Sequence, residues 1–581
     1  MVRRWRMRRD GAPPAALVEA AAAHDRASAE LLAQLLWNRG LDDPDRVATF
    51  LQPTLAHGLR SPLLMADMAL AARRLADALA AGDPIAAYGD YDVDGISGAA
   101  QLVGCLRELG ASPLLHVAHR QREGYGLHAD ALRALRGAGA RVVVTADCGT
   151  ADVAALTLAA DLGMDVIVCD HHHTPTTRPP AFAVLNPMRG DCGFPFKGLS
   201  GAGVVFYLLM GLRMELRARG HTQLPDLRRY LDLVALGTVA DVVPLVDENR
   251  VLVAHGLREL AGTRRPGLRA LKEAALVEDA NVRAIGFRLG PRLNASGRLA
   301  DAHLAVEALT TDDDARGRAI AAELEVLNAE RRAIEDRMVR EAVGDVEAAG
   351  PLVVAAGEGW HPGVVGIVAA RLVDRFHRPA LAIALDGSLG RGSGRSVPGV
   401  HLHAALSECR DVFETFGGHR QAVGFTIRRD RVEMLRARAA AAVARLAAAS
   451  DLEPVLDVDA EVALADVTPR RAAALALLEP HGPGNPEPAL LARDARVESA
   501  RVVGDPSRPH LKLRLRQDGW TVPAIAFGLG HLPVRPGDRL DVVFTPRLSQ
   551  WQGAERVEIE LRDLRRNEAQ AAGLSTVSPI P

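Results

Sequence analysis

The stretch "AAYGDYDVDGISGAA" at 86–100 places Asp90, Asp92 and Asp94 within five residues, directly after a short apolar run. Three carboxylates crowded at a strand end repel one another unless something lies between them. The flanking sequence says what kind of strand this is. "ALAARRLADALAAG" (69–82) precedes "PIAAYGD" (84–90), "ISGAAQLVGCLRELG" (96–110) precedes "PLLHVAH" (113–119), "ADALRALRGAGA" (129–140) precedes "RVVVTAD" (141–147), and "ADVAALTLAADLG" (151–163) precedes "MDVIVCD" (164–170). Helix–strand alternation with tight Gly and Pro punctuation predicts a mostly parallel sheet with helices on both faces. Three of these runs end in an aspartate, Asp90, Asp147 and Asp170, and open α/β sheets bind ligands at the carboxyl ends of their strands.

Side chains two apart on an extended backbone point the same way, so Asp92 and Asp94 are expected to share one side, with Gly95 turning the chain into a helix. Asp170, His171, His172 and His173 follow a further strand in "CDHHHT", and Asp241 stands in "LGTVADVVPL" (236–245). Any one of these acids alone reads as a helix cap, but several clusters in one α/β segment do not. Carboxylates with imidazoles form a donor set suited to manganese or magnesium rather than copper or a thiolate zinc site. Divalent charge makes such crowding tolerable, and two ions are expected.

Composition bounds the rest. A chain of 581 residues predicts three or four domains. Hydrophobic residues at 48% and charged residues at 24% describe a globular protein, and the net charge of −2 leaves any anionic partner to local patches. The five cysteines are scattered without a CxxC pair, which excludes a disulfide framework. No window approaches eighteen apolar residues without a charge, and acids interrupt any signal-peptide core after the basic start, so a cytoplasmic protein with no membrane partner is expected.

The chain divides, on this reading, into an N-terminal helical segment (1–50), an α/β catalytic domain (51–311), a long charged connecting helix (312–349), a second α/β domain (350–447), a small β-barrel (455–566) and a disordered tail (567–581). Arg292 and Arg298 bracket Asn294 in "GPRLNASGR", expected as a loop that clamps a backbone phosphate. "GRGSGRS" (390–396) offers Ser393 and Arg395 among glycines, expected as a nest for a terminal phosphate. Neither it nor "GLSGAG" (198–203) has the Gly-Lys-Ser/Thr ending of a nucleotide P-loop, which disfavours ATP hydrolysis. The barrel carries Arg493, Arg496, Arg501, Arg508, Lys512, Arg514 and Arg516 with few aromatics (Trp520, Phe527, Trp551), so charge should dominate binding of a single strand.

"YGDYDVDG", "ADCG", "DHH" at 170–172 and "LGTVADVVPL", in that order, resemble the DHH phosphoesterase superfamily, with wording similar to its single-strand-specific exonuclease branch. "GYGL" (124–127), "GLSGAGVVFYLL" (198–209) and "GPRLNASGRL" (290–299) extend the likeness. "GWHPGVVGIVAARL" (359–372) and "GGHRQAVGF" (417–425) resemble the DHH-associated domain, and "GPGNPEP" (482–488) resembles the opening of the family's OB-fold. The resemblance covers roughly residues 50 to 565. It implies a parallel-sheet DHH domain, a connecting helix, a second α/β domain and an OB-fold. It makes Asp92, Asp94, Asp147, His171 and Asp241 ligands of two Mn2+ or Mg2+ ions, with Asp147 as the bridge. His172 would lie beside the scissile phosphate and Asp170 would orient a histidine. Arg120 resembles an end-pocket residue, and His419 would reach a phosphate from the second domain. Asp90 stays open, His173 reads as incidental, and His481 stands where an aromatic is usual.

The implied activity is 5′→3′ hydrolysis of single-stranded DNA to mononucleotides in recombination and repair, by a monomer working with single-strand-binding protein and a RecQ-type helicase. Two other readings are a phosphoesterase of smaller substrates, against which the barrel and basic loops argue, and a replication scaffold, against which the intact set of acids argues.

Overall fold

The computed structural model of the protein describes residues 3–344, 350–506, 508–551 and 554–567. The tail at 568–581 lies outside the described residues. The chain divides into two compact units, one from Leu59 to Glu453 and one made of residues up to Gly58 together with those from Pro454 onward.

The first unit opens with helix α1 (Met68–Ala81) and continues as β1 (Ile85–Gly89), α2 (Val93–Glu108), β2 (Leu114–Val117), α3 (Ala129–Gly137), β3 (Val142–Ala146), α4 (Val153–Asp161), β4 (Asp165–Cys169) and β5 (Ala183–Leu185). The sheet order is β2-β1-β3-β4-β5 and every pairing is parallel. Such strands are covered on both faces, so they read as continuous apolar runs; "VVVTA" of β3 is buried throughout. Val142, Val143 and Val144 are fully buried, each contributing about 1.5–3 kcal/mol. Helices α3 and α4 pack with Tyr88, Val143 and Val168 on one face. Helices α5 (Gly201–Ala218) and α6 (Leu231–Ala240) follow the sheet.

The acidic stretch differs from its sequence expectation in one respect. Strand β1 stops at Gly89, Asp92 caps α2 and Asp94 already lies in the helix's first turn. Asp92 Oδ1 accepts the N–H groups of Asp94 (3.0 Å) and Gly95 (3.2 Å), satisfying donors that a helix start leaves free. The elbow is tight: a Cβ on Gly95 would lie 2.6 Å from backbone atoms of Asp90. "GPRLNASGRL" is likewise helix α7 (Gly290–Leu299) rather than a loop. The long helix α8 (Asp314–Gly344) is charged as expected, yet it buries Ile320, Leu324 and Met338.

Strands β6 (Val353–Glu358), β7 (Ala380–Asp386), β8 (Leu389–Arg395), β9 (Phe413–His419) and β10 (Ala422–Arg428) form a second sheet in the order β9-β10-β8-β7-β6, with α9 (Val365–Phe376) against it. "GRGSGR" is strand β8, paired on both sides, so its N–H groups belong to a ladder rather than a nest. Its glycines make room for neighbours: a Cβ on Gly392 would meet the Phe425 ring at 2.2 Å.

In the other unit, strands 490–503, 510–517, 520–526, 554–566 and 539–551 close into a barrel, because the first pairs with both the second and the last. Leu17, Leu32, Leu35, Leu36 and Phe50 from the N-terminal residues share its core with Leu513, Val542, Phe544 and Ile559. Strand Arg4–Met7 runs parallel to Val455–Val458, so the basic start is not wholly helical. All five cysteines are buried and free, and no described helix is long and apolar enough to cross a membrane.

Arg39 fastens the two sequence segments of this unit. Its buried guanidinium donates to Asn485 Oδ1 (2.7 Å) and the Pro486 carbonyl (2.6 Å), and lies 3.8 Å from buried Asp459. Breaking a buried network by removing one partner costs several kcal/mol. Arg39→Ala is expected to destabilise this unit by about 3 kcal/mol, measured as an earlier urea transition in tryptophan fluorescence, with the Leu59–Glu453 unit unfolding at its original midpoint.

Candidate metal centre and phosphate pocket

Each acid reaches the same place by a different local device. Asp94 is drawn against the start of α5, where Gly201 N–H (2.6 Å) and Ala202 N–H (3.0 Å) donate to its two oxygens. A helix N-terminus favours a carboxylate there. Asp147 follows β3 in a left-handed conformation (φ 67°). A Cβ on Gly201 would lie 2.6 Å from Asp147 Cβ, so only glycine lets α5 come this close. Asp241 ends α6, and the β-branched Val242 after it is also left-handed (φ 61°), a costly conformation of the kind that gathers at functional sites.

Asp170 Oδ1 accepts the backbone N–H groups of His171 (2.8 Å) and His172 (3.1 Å), and its Oδ2 that of Thr150 (3.0 Å). Oδ1 also lies 2.8 Å from His172 Nδ1. Burial opposes ionisation of Asp170, but the hydrogen bond and charge of His172, with His171 and Thr150, together outweigh it and hold the carboxyl below the usual range. Burial likewise opposes charge on His172, and Asp170 reverses this, raising it to about 9. Tyr125 Oη stands 2.9 Å from His172 Nδ1 and donates to the Asp147 carbonyl.

His171 Nε2 sits at the centre, 3.1 Å from Asp147 Oδ1, 3.4 Å from Asp241 Oδ2 and 3.9 Å from Asp94 Oδ2. Three overlapping groups have donor atoms within 4.8 Å of one another: Asp147 with His171 and His172, Asp94 with His171 and Asp241, and Asp90 with Asp92 and Asp147. Asp90, left open by the sequence, therefore joins the cluster. Burial, and then the neighbouring carboxylates, raise Asp94 to about 7 and Asp241 to about 9, and push Asp147 well above its ordinary value. Burial, and then His172, lower His171 to about 4.

The donor chemistry fits divalent metal. Asp90 Oδ1, Asp147 Oδ1 and His171 Nε2 are buried without a hydrogen-bond partner, which is costly for polar atoms. Among the described residues, no lysine or arginine pairs with Asp92, Asp94, Asp147, Asp170 or Asp241. Crowded carboxylates and a neutral imidazole with unused lone pairs are a hard-cation site.

Beside the acids is a pocket of opposite sign. Arg298, on α7, is half-buried and donates to the Gly363 carbonyl (2.8 Å). Burial, and then Arg120, Arg331 and Arg395, push it down to about 9. Arg395 donates to Ser393 Oγ (3.0 Å) and is lowered by burial and Arg120. Arg120 lies over the Tyr91 ring at 3.9 Å, its Nε buried and unpartnered. Asn294 Oδ1 is also buried without a partner. Arg292 instead pairs with Glu325 and donates to the Arg288 carbonyl, so α8 occupies its fork. His419 stands at the end of β9, its ring 6.0 Å from that of His172. Sequence reading passed over Tyr91, Gln121 and Tyr125. Gln121 bonds the Arg298 carbonyl (2.9 Å), and its own carbonyl receives Arg391 from β8; Tyr125, inside "GYGL", was the legible one.

In the barrel unit, Lys512, Arg514 and Arg516 share an exposed face, with Arg501 opposite Lys512 and Arg496 opposite Arg516. Trp520 and Phe527 are exposed. Arg493 is taken by Glu461 and Asp541, and Glu498 borders Arg514 and Arg516. The side chain of Trp551 lies outside the described residues.

Family models match the DHH N-terminal domain at residues 84–238, the DHHA1 domain at 349–445 and the RecJ OB domain at 458–563. The single-stranded-DNA-specific exonuclease RecJ of Bacillus subtilis is 36% identical over 567 residues, covering 95% of this chain and 71% of that protein. The chain belongs to the RecJ family. RecJ of Escherichia coli is 39% identical over 468 residues, 77% of this chain and 80% of that one. The crystal structure of RecJ in complex with Mn2+ from Thermus thermophilus aligns with a TM-score of 0.83 at 32% identity, over 97% of this chain and 80% of that one.

The shifted carboxyls carry a pH signature. Asp94 and Asp241 keep protons in the folded metal-free chain up to about pH 7 and about pH 9, whereas unfolded carboxyls release them near pH 4. The folded state then binds more protons, so its stability falls as pH rises. His172, raised to about 9, acts in the same direction, and His171 opposes only below about pH 6.5. In chelator, the melting temperature is expected to drop between about pH 6.5 and 9, and Mn2+ to remove the slope. Asp147→Asn should flatten that slope while weakening Mn2+ binding by more than about 100-fold in calorimetry.

Proposed function

We propose that this chain hydrolyses single-stranded DNA from its 5′ end to mononucleotides, using two divalent cations, Mn2+ or Mg2+. The observation that carries this reading is the adjacency of a cation-seeking acid cluster and an anion-seeking arginine pocket. A phosphodiester is the group that needs both.

Asp92, Asp94, Asp147, His171 and Asp241 would hold the cations, with Asp147 shared, as the family resemblance implies; its carboxylate belongs to two of the donor groups. Bound there, the cations would neutralise phosphoryl oxygens and ease deprotonation of the attacking water. The rest falls to side chains. Asp170 fixes His172 through Nδ1, so that Nε2 is the ring nitrogen left to meet a phosphoryl oxygen. Arg120, Arg298, Ser393 and Arg395 would receive the 5′-phosphate, with Asn294 and His419 as further phosphate contacts. Arg292 would contribute by orienting α7 through Glu325. The water oxygen joins phosphorus as the P–O3′ bond breaks, and the freed O3′ takes a proton. The next nucleotide keeps its phosphate, so each cycle regenerates the end that the pocket binds.

The barrel face at Arg501, Lys512, Arg514 and Arg516 would hold the trailing strand by charge. Cooperation with single-strand-binding protein and a RecQ-type helicase in repair, and a cytoplasmic place of action, rest on family membership.

End-labelled strands with 5′-phosphate, 5′-hydroxyl or blocked ends, beside a duplex and a circle, test the reaction. Mononucleotides are expected from the 5′-phosphorylated strand with Mn2+ and not with chelator; attack on the circle, or from a free 3′ end, would overturn the polarity. Arg395→Ala should erase most of the preference for 5′-phosphate over 5′-hydroxyl while leaving Mn2+ binding intact in calorimetry. Replacing Lys512, Arg514 and Arg516 together with alanine should lower the slope of log affinity against log salt by about 2.

A further inference from the structure

His173 is the one member of "DHHH" that the reading above does not use. It is exposed and belongs to none of the candidate metal groups. Its ring lies 5.3 Å from that of His419, tilted by 56°, while His172 stacks with the same His419 ring at 6.0 Å and 26°. His419 has little else to fix it. Gly417 and Gly418 precede it, and the register places only Ala422 opposite. A Cβ on Gly418 would lie 2.3 Å from the Ala422 carbonyl oxygen, so the backbone is tight there. One on Gly417 or Gly424 would meet nothing within 4 Å, leaving that face of the hairpin open. Among the described residues, the His419 side chain makes no hydrogen bond or ion pair, and its ring contacts are with His172 and His173.

We propose that His173 is a positioning residue that holds the His419 imidazole against His172, fixing a phosphate contact of the DHHA1 sheet onto the DHH active site. This rests on the reading of His419 as a phosphate ligand. A ring supported from two sides keeps one rotamer, and the strand then binds without first ordering it. The contact acts through ring packing. A second aromatic ring can therefore replace it.

The test is steady-state hydrolysis of a 5′-phosphorylated strand with Mn2+ by wild type, His173→Ala, His173→Phe, His173→Gln, His419→Ala and the His173→Ala/His419→Ala double variant. His173→Ala is expected to raise KM about three- to tenfold with kcat within about twofold. His173→Phe should restore KM, His173→Gln should not, and the double variant should match His419→Ala alone. Unchanged KM, additive effects, or rescue by Gln but not Phe would overturn the proposal. A wild type inert on single strands would instead count against the proposed reaction. In that case the imidazole resonances of His419 in the full metal-free chain decide: His173→Ala should shift them, and unmoved resonances would refute the contact.

Discussion

Gly201 and Ala202 give their backbone N–H groups to the two oxygens of Asp94, and this contact between the start of α5 and the first turn of α2 governs the rest of the catalytic unit. It holds a buried carboxylate by fixed dipoles, where an ion pair would have spent the negative charge. Because Gly201 lacks a Cβ, Asp147 can press against the same helix start. His171 then meets Asp147 and Asp241 from the next strand end. Backbone donors satisfy Asp94 and Asp170, while Asp90 and Asp147 keep oxygens with no partner. Asp94, although held by backbone donors, still lies with His171 and Asp241 in one donor group, so those donors orient it while Asp147 keeps an oxygen free.

The arginine pocket has the complementary deficit. Beyond burial, Arg120, Arg331 and Arg395 oppose the charge of Arg298, and Arg120 opposes that of Arg395, as the carboxylates oppose one another across the cleft. Each cluster is electrostatically unfavourable without its counter-charge, and Arg298 ties α7 to the backbone of Gly363. Stability is given up locally in both places, a pattern expected where a fold serves chemistry.

Much of this was legible in the sequence, for physical reasons that differ by residue. Asp90, Asp147 and Asp170 follow buried apolar runs whose β-character is unambiguous, so their convergence could be read from alternation alone. Asp94 was misplaced onto extended backbone, because "DVDG" satisfies a two-residue period as readily as a helix start; the deciding contact, with Gly201, is 107 residues away. "GRGSGR" looked like a loop because glycine usually marks one, but here it yields space to Phe425 and Val423 across the ladder. Arg292 and Arg298 were indistinguishable by spacing, and only Glu325 on a distant helix separates them. The association of the first fifty-odd residues with the barrel left no local trace at all, since apolar helix faces do not say what they pack against.

That association bears on biosynthesis. Leu17, Leu32, Leu35, Leu36 and Phe50 leave the ribosome long before Leu513, Val542 and Phe544, the residues that enclose them. At ordinary elongation rates the wait is on the order of tens of seconds. During that time the nascent helices are sticky, and the inserted catalytic unit folds beside them. Closure of this core therefore waits on translation of the last strands, although its first helices are made at the outset.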